Sequence, residues 1–454
     1  MVTDTNENKT NTNVNNSNFL EAPRYSCALS GAYLSILAIN RVVPILHSGP
    51  GCGFVQTMGM SFGGGFQSSV PLGGNTTPCT GLTEKHVIFG GEEKLKDLIK
   101  STVKILDGDL YAVVSGCIPS IIGDDEESVI SDLRKIDHFP PLINIKAPGF
   151  SGTTYDGYEA FFDAVIDQLL EAPEKKEKGL VNILGIVPTQ HIFYKGDLLN
   201  IKEILGKLGL EANIIFVDFS GLEGLKKIPS AEHTIVLSPW IGIKTAEKIK
   251  EKFDVPYTVF PGSPIGPQQT TEFLYRVAEQ LNIPKEQVNR VVTDEEKFAY
   301  RQIERVADGL VIFGANSPIA VAADSNIAIG VTKFLTNECG MLPLVIVITD
   351  PVPVERQEVI VSELTDDLTS VIKPEVHFET DSQKIVEILG RNQFIMLFAS
   401  SQEKYLAQNE WQALHLSISF PSWDRLIVER SYVGYRGPLG LLEDIVGKAV
   451  VPFI

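Results

Sequence analysis

The chain has 454 residues, 44% of them hydrophobic and 8% aromatic, and carries a formal charge of −18. That length exceeds what one hydrophobic core fills, so two or three domains are expected. The acidic balance argues against nucleic acid as a partner, because phosphates demand lysine and arginine, and no run of eighteen or more apolar residues offers a membrane span.

Met1 to about Asn18 is rich in Asn and Thr, and reads as a flexible tail or an arm that orders on a partner. It has no basic-plus-apolar signal pattern. Beyond it, short β-branched runs alternate with helical patterns, which predicts an α/β fold of parallel sheets covered by helices. Three units are expected. The first, residues 19–178, has strands at Val42–Leu46, Leu110–Ser115 and Leu142–Lys146 and ends in a charged linker, Glu171–Lys178. The second, residues 179–307, has strands near Leu180–Val187, Ala212–Val217, His233–Leu237 and Tyr257–Phe260, with helices over Gly196–Leu208 and Lys244–Lys252. The third, residues 308–454, has strands at Leu310–Phe313, Leu344–Thr349, Phe394–Phe398 and Leu416–Phe420.

Only five cysteines occur in this long chain, which points to a reducing cytoplasm and to metal or redox use, not a disulfide framework. Cys27, Cys52 and Cys117 each sit in a turn context, the latter two with glycine and proline close by, and the first two are 25 residues apart. Cys52 and Cys117 also fall just after predicted strands, where open α/β sheets place their sites. Cysteine packs readily as a small buried hydrophobe, but three in turns suit thiolate ligation of an iron–sulfur cluster. Such a cluster usually takes four thiolates, so a second chain is implied.

The other candidates have blander readings. Cys79 is a fourth ligand, a redox-active thiol or an incidental loop residue, the last being favoured, and Cys339 is structural. His47 donates to a cluster sulfur, donates to a backbone carbonyl, or is a satisfied structural histidine. Asp124 and Asp125 read first as N-caps of a helix over Ser128–Arg134. No GxxxxGK[ST] phosphate loop is present, so the chain is not expected to hydrolyse ATP itself.

The same segments resemble the component 1 proteins of the nitrogenase superfamily. The resemblance is carried by Cys27-Ala28-Leu29-Ser30-Gly31-Ala32, His47-Ser48-Gly49-Pro50-Gly51-Cys52, Val87-Ile88-Phe89-Gly90-Gly91 and the stretch from Cys117-Ile118-Pro119 to Gly123-Asp124-Asp125. Ala147-Pro148-Gly149-Phe150, Pro264-Ile265-Gly266 and Gly434-Tyr435-Arg436-Gly437 extend it to the C-terminal region. It implies three Rossmann-like domains and a heterotetramer of two related subunits. It also implies that Cys27, Cys52 and Cys117 supply this chain's share of an interface cluster, P-cluster-like with eight irons or a simpler four-iron cube. In the family an ATP-dependent iron protein docks nearby and feeds electrons through that cluster to a metal cofactor in the α-type subunit.

Family α-type chains hold that cofactor with a cysteine in the second domain and a late histidine. Pro261–Gly266 offers no cysteine here and Phe420–Arg425 no histidine, so the chain resembles a β-type subunit, the electron relay of a nitrogenase-type oxidoreductase. One departure stands out: Gly149 stands where molybdenum-enzyme β subunits place a serine. Ala147-Pro148-Gly149-Phe150 and the Asn75–Thr80 loop lean towards scaffolds for cofactor assembly and towards nitrogenase-like reductases of other substrates. A clusterless ligand-binding α/β protein is the remaining alternative.

Overall fold

A computed structural model of the chain describes residues 20–53, 62–66, 77–217, 220–314 and 316–450. The expected N-terminal tail, Met1 to Asn18, lies outside the described residues.

Three all-parallel sheets follow one another along the chain. The first has the order β1 (Val42–His47), β2 (Leu110–Ser115), β3 (Leu142–Lys146). Its register runs from Val42 opposite Leu110 to His47 opposite Ser115. β2 is buried at every position, as expected of a parallel strand covered on both faces. The segment Pro78–Thr80 lies along β1, where Leu46 N–H donates to Pro78 O at 2.8 Å and Thr80 N–H to Leu46 O at 2.9 Å.

The second sheet contains β4 (Glu177–Leu184), β5 (Glu211–Asn213), β6 (Ala231–Leu237) and β7 (Tyr257–Phe260), in the order β5-β4-β6-β7. The third contains β8 (Pro318–Ala323), β9 (Leu342–Ile348), β10 (Glu375–Phe378), β11 (Met396–Ala399) and β12 (Leu414–Ser417), in the order β10-β9-β8-β11-β12. One apolar core runs through all three, from Ala28 to Ile445.

The α/β class and the parallel sheets agree with the sequence reading, and two of its strand assignments need correction. Leu310–Phe313 is the end of a helix, Ala307–Phe313, because a short apolar run carries no period that separates a strand from a buried helical turn. Ala212–Val217 shortens to the three-residue β5. β8 and β10 went unpredicted: β8 is alanine-rich and opens on proline, and β10 opens on a charged residue.

The first sheet is backed by two helices in unusually close contact, α1 (Ala28–Leu37) and the helix Thr154–Gln168. All of α1 is buried. A β-carbon on Gly31 would overlap the Thr154 carbonyl, and one on Gly157 would overlap the Ala28 carbonyl. Only glycine permits that backbone-to-backbone approach, and it fixes the start of α1, where Cys27 sits.

Candidate metal centre at the rim of the first sheet

The three cysteines lie beyond the carboxyl ends of the first-sheet strands or at the start of the helix packed against them, and all are half-buried free thiols. Cys27 is the N-cap of α1. It bridges Thr153 in antiparallel fashion, and Thr154 N–H donates to Ser26 O at 2.8 Å. Cys117 opens the short helix Cys117–Ile122 directly after β2. Cys52 lies in the first turn of a helical segment that opens at Pro50 after β1, its N–H donating to Gly49 O at 3.4 Å.

Two glycines join these loops. Gly116 N–H donates to His47 O at 2.9 Å, and a β-carbon on Gly116 would sit 2.9 Å from Ser48 Cβ and 3.0 Å from Leu29 Cδ1. Side chains from the Cys52 loop and from α1 therefore meet at the residue preceding Cys117. Gly149 lies between two sulfurs. Its N–H donates to Cys117 Sγ at 3.1 Å, and a β-carbon there would stand 3.1 Å from Cys117 Sγ and 3.2 Å from Cys27 Sγ. Those two sulfurs are thus no more than about twice that distance apart, with the bare Gly149 backbone between them.

Behind the rim, a buried polar network takes up His47 and the aspartates. His47 Nε2 pairs with Asp124 Oδ2 at 3.1 Å, and Nδ1 faces Thr80 Oγ1 at 3.2 Å. Burial lowers the imidazole pKa further than Asp124 raises it, which keeps the ring neutral and donating to the carboxylate. Asp124 also accepts Gly91 N–H at 3.0 and 3.1 Å. It is therefore a strut, and only Asp125 acts as the helix cap, accepting Ser128 N–H at 3.0 Å. Both ring nitrogens of His47 are engaged, so it stands as a structural histidine.

Cys79 lies beside the Cys52 turn, its Sγ 3.6 Å from Gly49 O and 3.7 Å from Ser48 O. Burial, with a smaller push from nearby Cys52, raises its thiol pKa. It is held as a neutral thiol that donates to the turn. Cys339 is buried away from the rim, as the structural reading expected.

The surface around the cysteines is apolar and exposed. The helix Glu84–Phe89 buries no residue, and Val87, Ile88, Phe89, Ile121 and Phe150 all face outward. One contributor gave no signal in the sequence. Arg24, three residues before Cys27, is fully buried and pairs with Glu403 and with the Ser400 hydroxyl, the latter at 2.6 Å, which ties the rim to the third sheet. A cysteine motif shows in a sequence, whereas an ion pair spanning nearly the whole chain does not.

The model of the nitrogenase component 1 type oxidoreductases matches residues 27–449. The chain belongs to the nitrogenase component 1 family. Its relatives include the vanadium-iron protein beta chain of Trichormus variabilis, 24% identical, with 91% of this chain and 90% of that one covered. The molybdenum-iron protein beta chain of Methanococcus maripaludis is 24% identical, with 93% of each chain covered. The corresponding chain of Azotobacter vinelandii is 24% identical, covering 94% of this chain and 83% of that one. Among solved structures, nitrogenase Cp1 at pH 6.5 superposes with a TM-score of 0.78 at 20% identity, covering 97% of this chain and 95% of the other. The three-sheet fold is thus the family's, and the similarity to beta chains covers nearly the whole length.

The residues at the rim suit an iron–sulfur cluster. Thiolates are its ligands, a backbone amide already donates to one sulfur, and the missing Gly149 side chain keeps the space between two sulfurs open. Among the described residues no three His, Cys, Asp or Glu side chains are grouped around a single metal ion. No helix among them is long and apolar enough to cross a membrane.

Proposed function

We propose that the chain is the β-type subunit of a component 1 complex, and that Cys27, Cys52 and Cys117 hold its share of an iron–sulfur cluster at the interface with an α-type subunit. The observation that carries this reading is the approach of the Cys27 and Cys117 sulfurs around Gly149, on a rim whose exposed apolar residues need a covering chain.

When bound, the cluster supplies a low-potential one-electron relay. The residues of this chain do the rest. The Gly149 amide stabilises negative charge on Cys117, and the N-cap position of Cys27 places its sulfur at the positive end of α1. The His47–Asp124 strut holds the Cys52 and Cys117 loops in register. Val87, Ile88 and Phe89 offer the apolar surface on which the companion subunit and an ATP-dependent iron protein dock. Electrons would pass from the bound cluster to a metal cofactor held by the companion, in a cytoplasmic heterotetramer.

Gly149 itself favours a second reading, a scaffold for cofactor assembly or a reductase of a substrate other than dinitrogen. Glycine has no side-chain oxygen with which to ligate an oxidised cluster, so a redox-dependent ligand is missing. The deciding experiment is anaerobic purification with the companion chain, followed by iron and sulfide quantification and EPR before and after dithionite. About eight irons per pair with an oxidation-dependent signal support the relay, and about four with a simple one-electron signal support the second reading. Colourless, iron-free protein overturns both.

A further inference from the structure

A second centre of concentrated chemistry lies away from the cysteines, where the second and third sheets meet. The second sheet reverses its winding between β4 and β6, the position at which open α/β sheets receive ligands beyond their carboxyl ends. Gly185 and Ser238 follow those two strands, while Asp324 and Asp350 come in from the ends of β8 and β9. With Tyr155, Gln190 and Asn326 they line a cavity of about 20 Å³, room for one water-sized occupant.

The polar lining is out of balance. Asp350 is well supplied: Trp240 Nε1–H donates to Oδ2 at 2.7 Å, and Ser325 donates its backbone N–H to Oδ1 at 2.8 Å and its hydroxyl to Oδ2 at 2.6 Å. Oδ1 keeps an unused lone pair. Asp324 accepts a long hydrogen bond from the Thr349 hydroxyl at 3.4 Å. The Tyr155 hydroxyl and the Gln190 amide lie close enough to Asp324 to act on its protonation.

The two amides are fixed in orientation. Gln190 Nε2 donates to Arg24 O at 2.7 Å, and Asn326 Nδ2 donates to Gly185 O at 3.1 Å and Leu237 O at 2.9 Å. Their oxygens, Gln190 Oε1 and Asn326 Oδ1, are buried without a hydrogen-bond partner, as is the Tyr155 hydroxyl. No lysine or arginine lines the cavity, and His191, which does, has its Nε2 paired with Asp197 Oδ2 at 2.6 Å. Acceptor oxygens from four side chains thus line one space, and two of them, Gln190 Oε1 and Asn326 Oδ1, receive no donor.

We propose that this cavity is a hard-cation site, taking one divalent ion of the calcium class through oxygens of Asp324, Asp350, Gln190 and Asn326. Carboxylate and amide oxygens without nitrogen or sulfur select hard cations. Two buried carboxylates carry a charge that one divalent ion neutralises, and buried charge requires such a partner. Magnesium would keep several waters in a strict octahedron, for which the cavity has no room. The ion would join the segment after β4 to the third sheet at one point, beside Tyr155 of the helix Thr154–Gln168 and a short step along the chain from the Thr153 bridge to Cys27.

The test uses the full chain, with its companion if one co-purifies. The protein is equilibrated with calcium, gel-filtered and analysed for bound metals by mass spectrometry, with calcium read separately from iron. Thermal midpoints are taken in calcium, in magnesium and in EDTA. About one calcium per chain is expected, with a midpoint about 3 °C higher at a hundredfold excess over Kd. Asp324→Asn should lose both effects, while Asp132→Asn on the exposed surface keeps them. Wild-type metal content decides the question even if Asp324→Asn fails to fold. Calcium at the buffer blank, with equal midpoints in all three solutions, means a water beside a protonated Asp324 and overturns the proposal. Retained magnesium in its place overturns the calcium assignment.

Discussion

The cysteine rim and the junction of the second and third sheets occupy equivalent places, beyond the carboxyl ends of parallel strands, and they are built in opposite ways. The rim is glycine-rich, bears half-buried thiols and leaves apolar side chains such as Phe89 79% exposed. At the junction the side chains are buried: Tyr155, Asp324 and Asp350 are each less than a tenth exposed, and Trp240 meets Tyr155 at a tilt with 4.9 Å between centroids. Strand topology therefore sets where chemistry can gather. The residues in the following loops decide whether that place turns outward to a second chain or closes on itself.

The rim stands on the contact between α1 and the helix Thr154–Gln168, so the largest effect is expected there. Gly31→Ala drives a β-carbon into the Thr154 carbonyl, a backbone clash that no rotamer relieves. Loss of more than about 3 kcal/mol is expected, read as a collapse of the thermal midpoint or as failure to purify folded protein. Gly206→Ala is the control. A β-carbon there meets nothing within 4 Å, and alanine in the last turn of the helix Tyr194–Lys207 should gain less than about 1 kcal/mol. Equal midpoints for the two variants would show that the close helix contact does not hold up the rim.

Next in size is the strut between the two regions. Arg24 pairs with Glu403 and Ser400 through its guanidinium and accepts from Gln190 through its carbonyl, so it touches both the cysteine segment and the acid-lined cavity. Arg24→Ala strands a buried carboxylate, at a cost of about 3–5 kcal/mol by chemical denaturation. Arg24→Met combined with Glu403→Leu removes both charges and should recover much of that loss. A double variant no better than Arg24→Ala would mean that geometry, not charge pairing, is what Arg24 supplies.

How much of each region was legible follows from the range of its interactions. The rim was legible because cysteines in turns form a local pattern: Cys27, Cys52 and Cys117 were named from sequence, and the strands β2, β3 and β7 appear with the boundaries read for them. The junction was not. Asp324 and Asp350 are ordinary aspartates after apolar runs, and what makes them unusual is the convergence of four strand ends, which no window of sequence contains. Arg24 and Gln190 were hidden for the same reason, since their partners lie 379 and 166 residues away. The mistaken strand at Leu310–Phe313 is the local counterpart, a run too short for its period to show.

The two regions should also respond oppositely to pH when EDTA keeps the cavity metal-free. Burial lowers the His47 pKa below the ordinary 6.5, so the rim's stability is present above pH 6.5 and falls as acid charges the ring. Burial and the neighbouring Asp350 raise the Asp324 pKa above its ordinary 3.8. That contribution is complete below 3.8 and is lost as pH rises through the folded value. Thermal midpoints from pH 5 to 9 should therefore show His47→Asn flattening the acid limb and Asp324→Asn the alkaline limb. Glu338, pushed up to about 7 by burial, leaves part of the alkaline slope in both variants. The division of labour fails if either variant flattens the other limb.

The smallest effect on the fold should come with the clearest effect on assembly, at Phe89. The helix that bears it buries nothing, so its side chain contributes little to the isolated chain, and Phe89→Ser should move the thermal midpoint by no more than about 0.5 kcal/mol equivalent. An exposed aromatic beside Val87 and Ile88, near the cysteine loops, has the character of an interface anchor, whose truncation costs about 2 kcal/mol or more of binding. Co-purification with the companion chain, or docking of an iron protein, should weaken by at least about tenfold while the iron content of whatever complex does form stays unchanged. An unchanged affinity would locate the covering chain elsewhere on the rim, with Ile121 and Phe150 as the next residues to truncate, because they are the other apolar side chains left exposed beside Cys117 and Gly149.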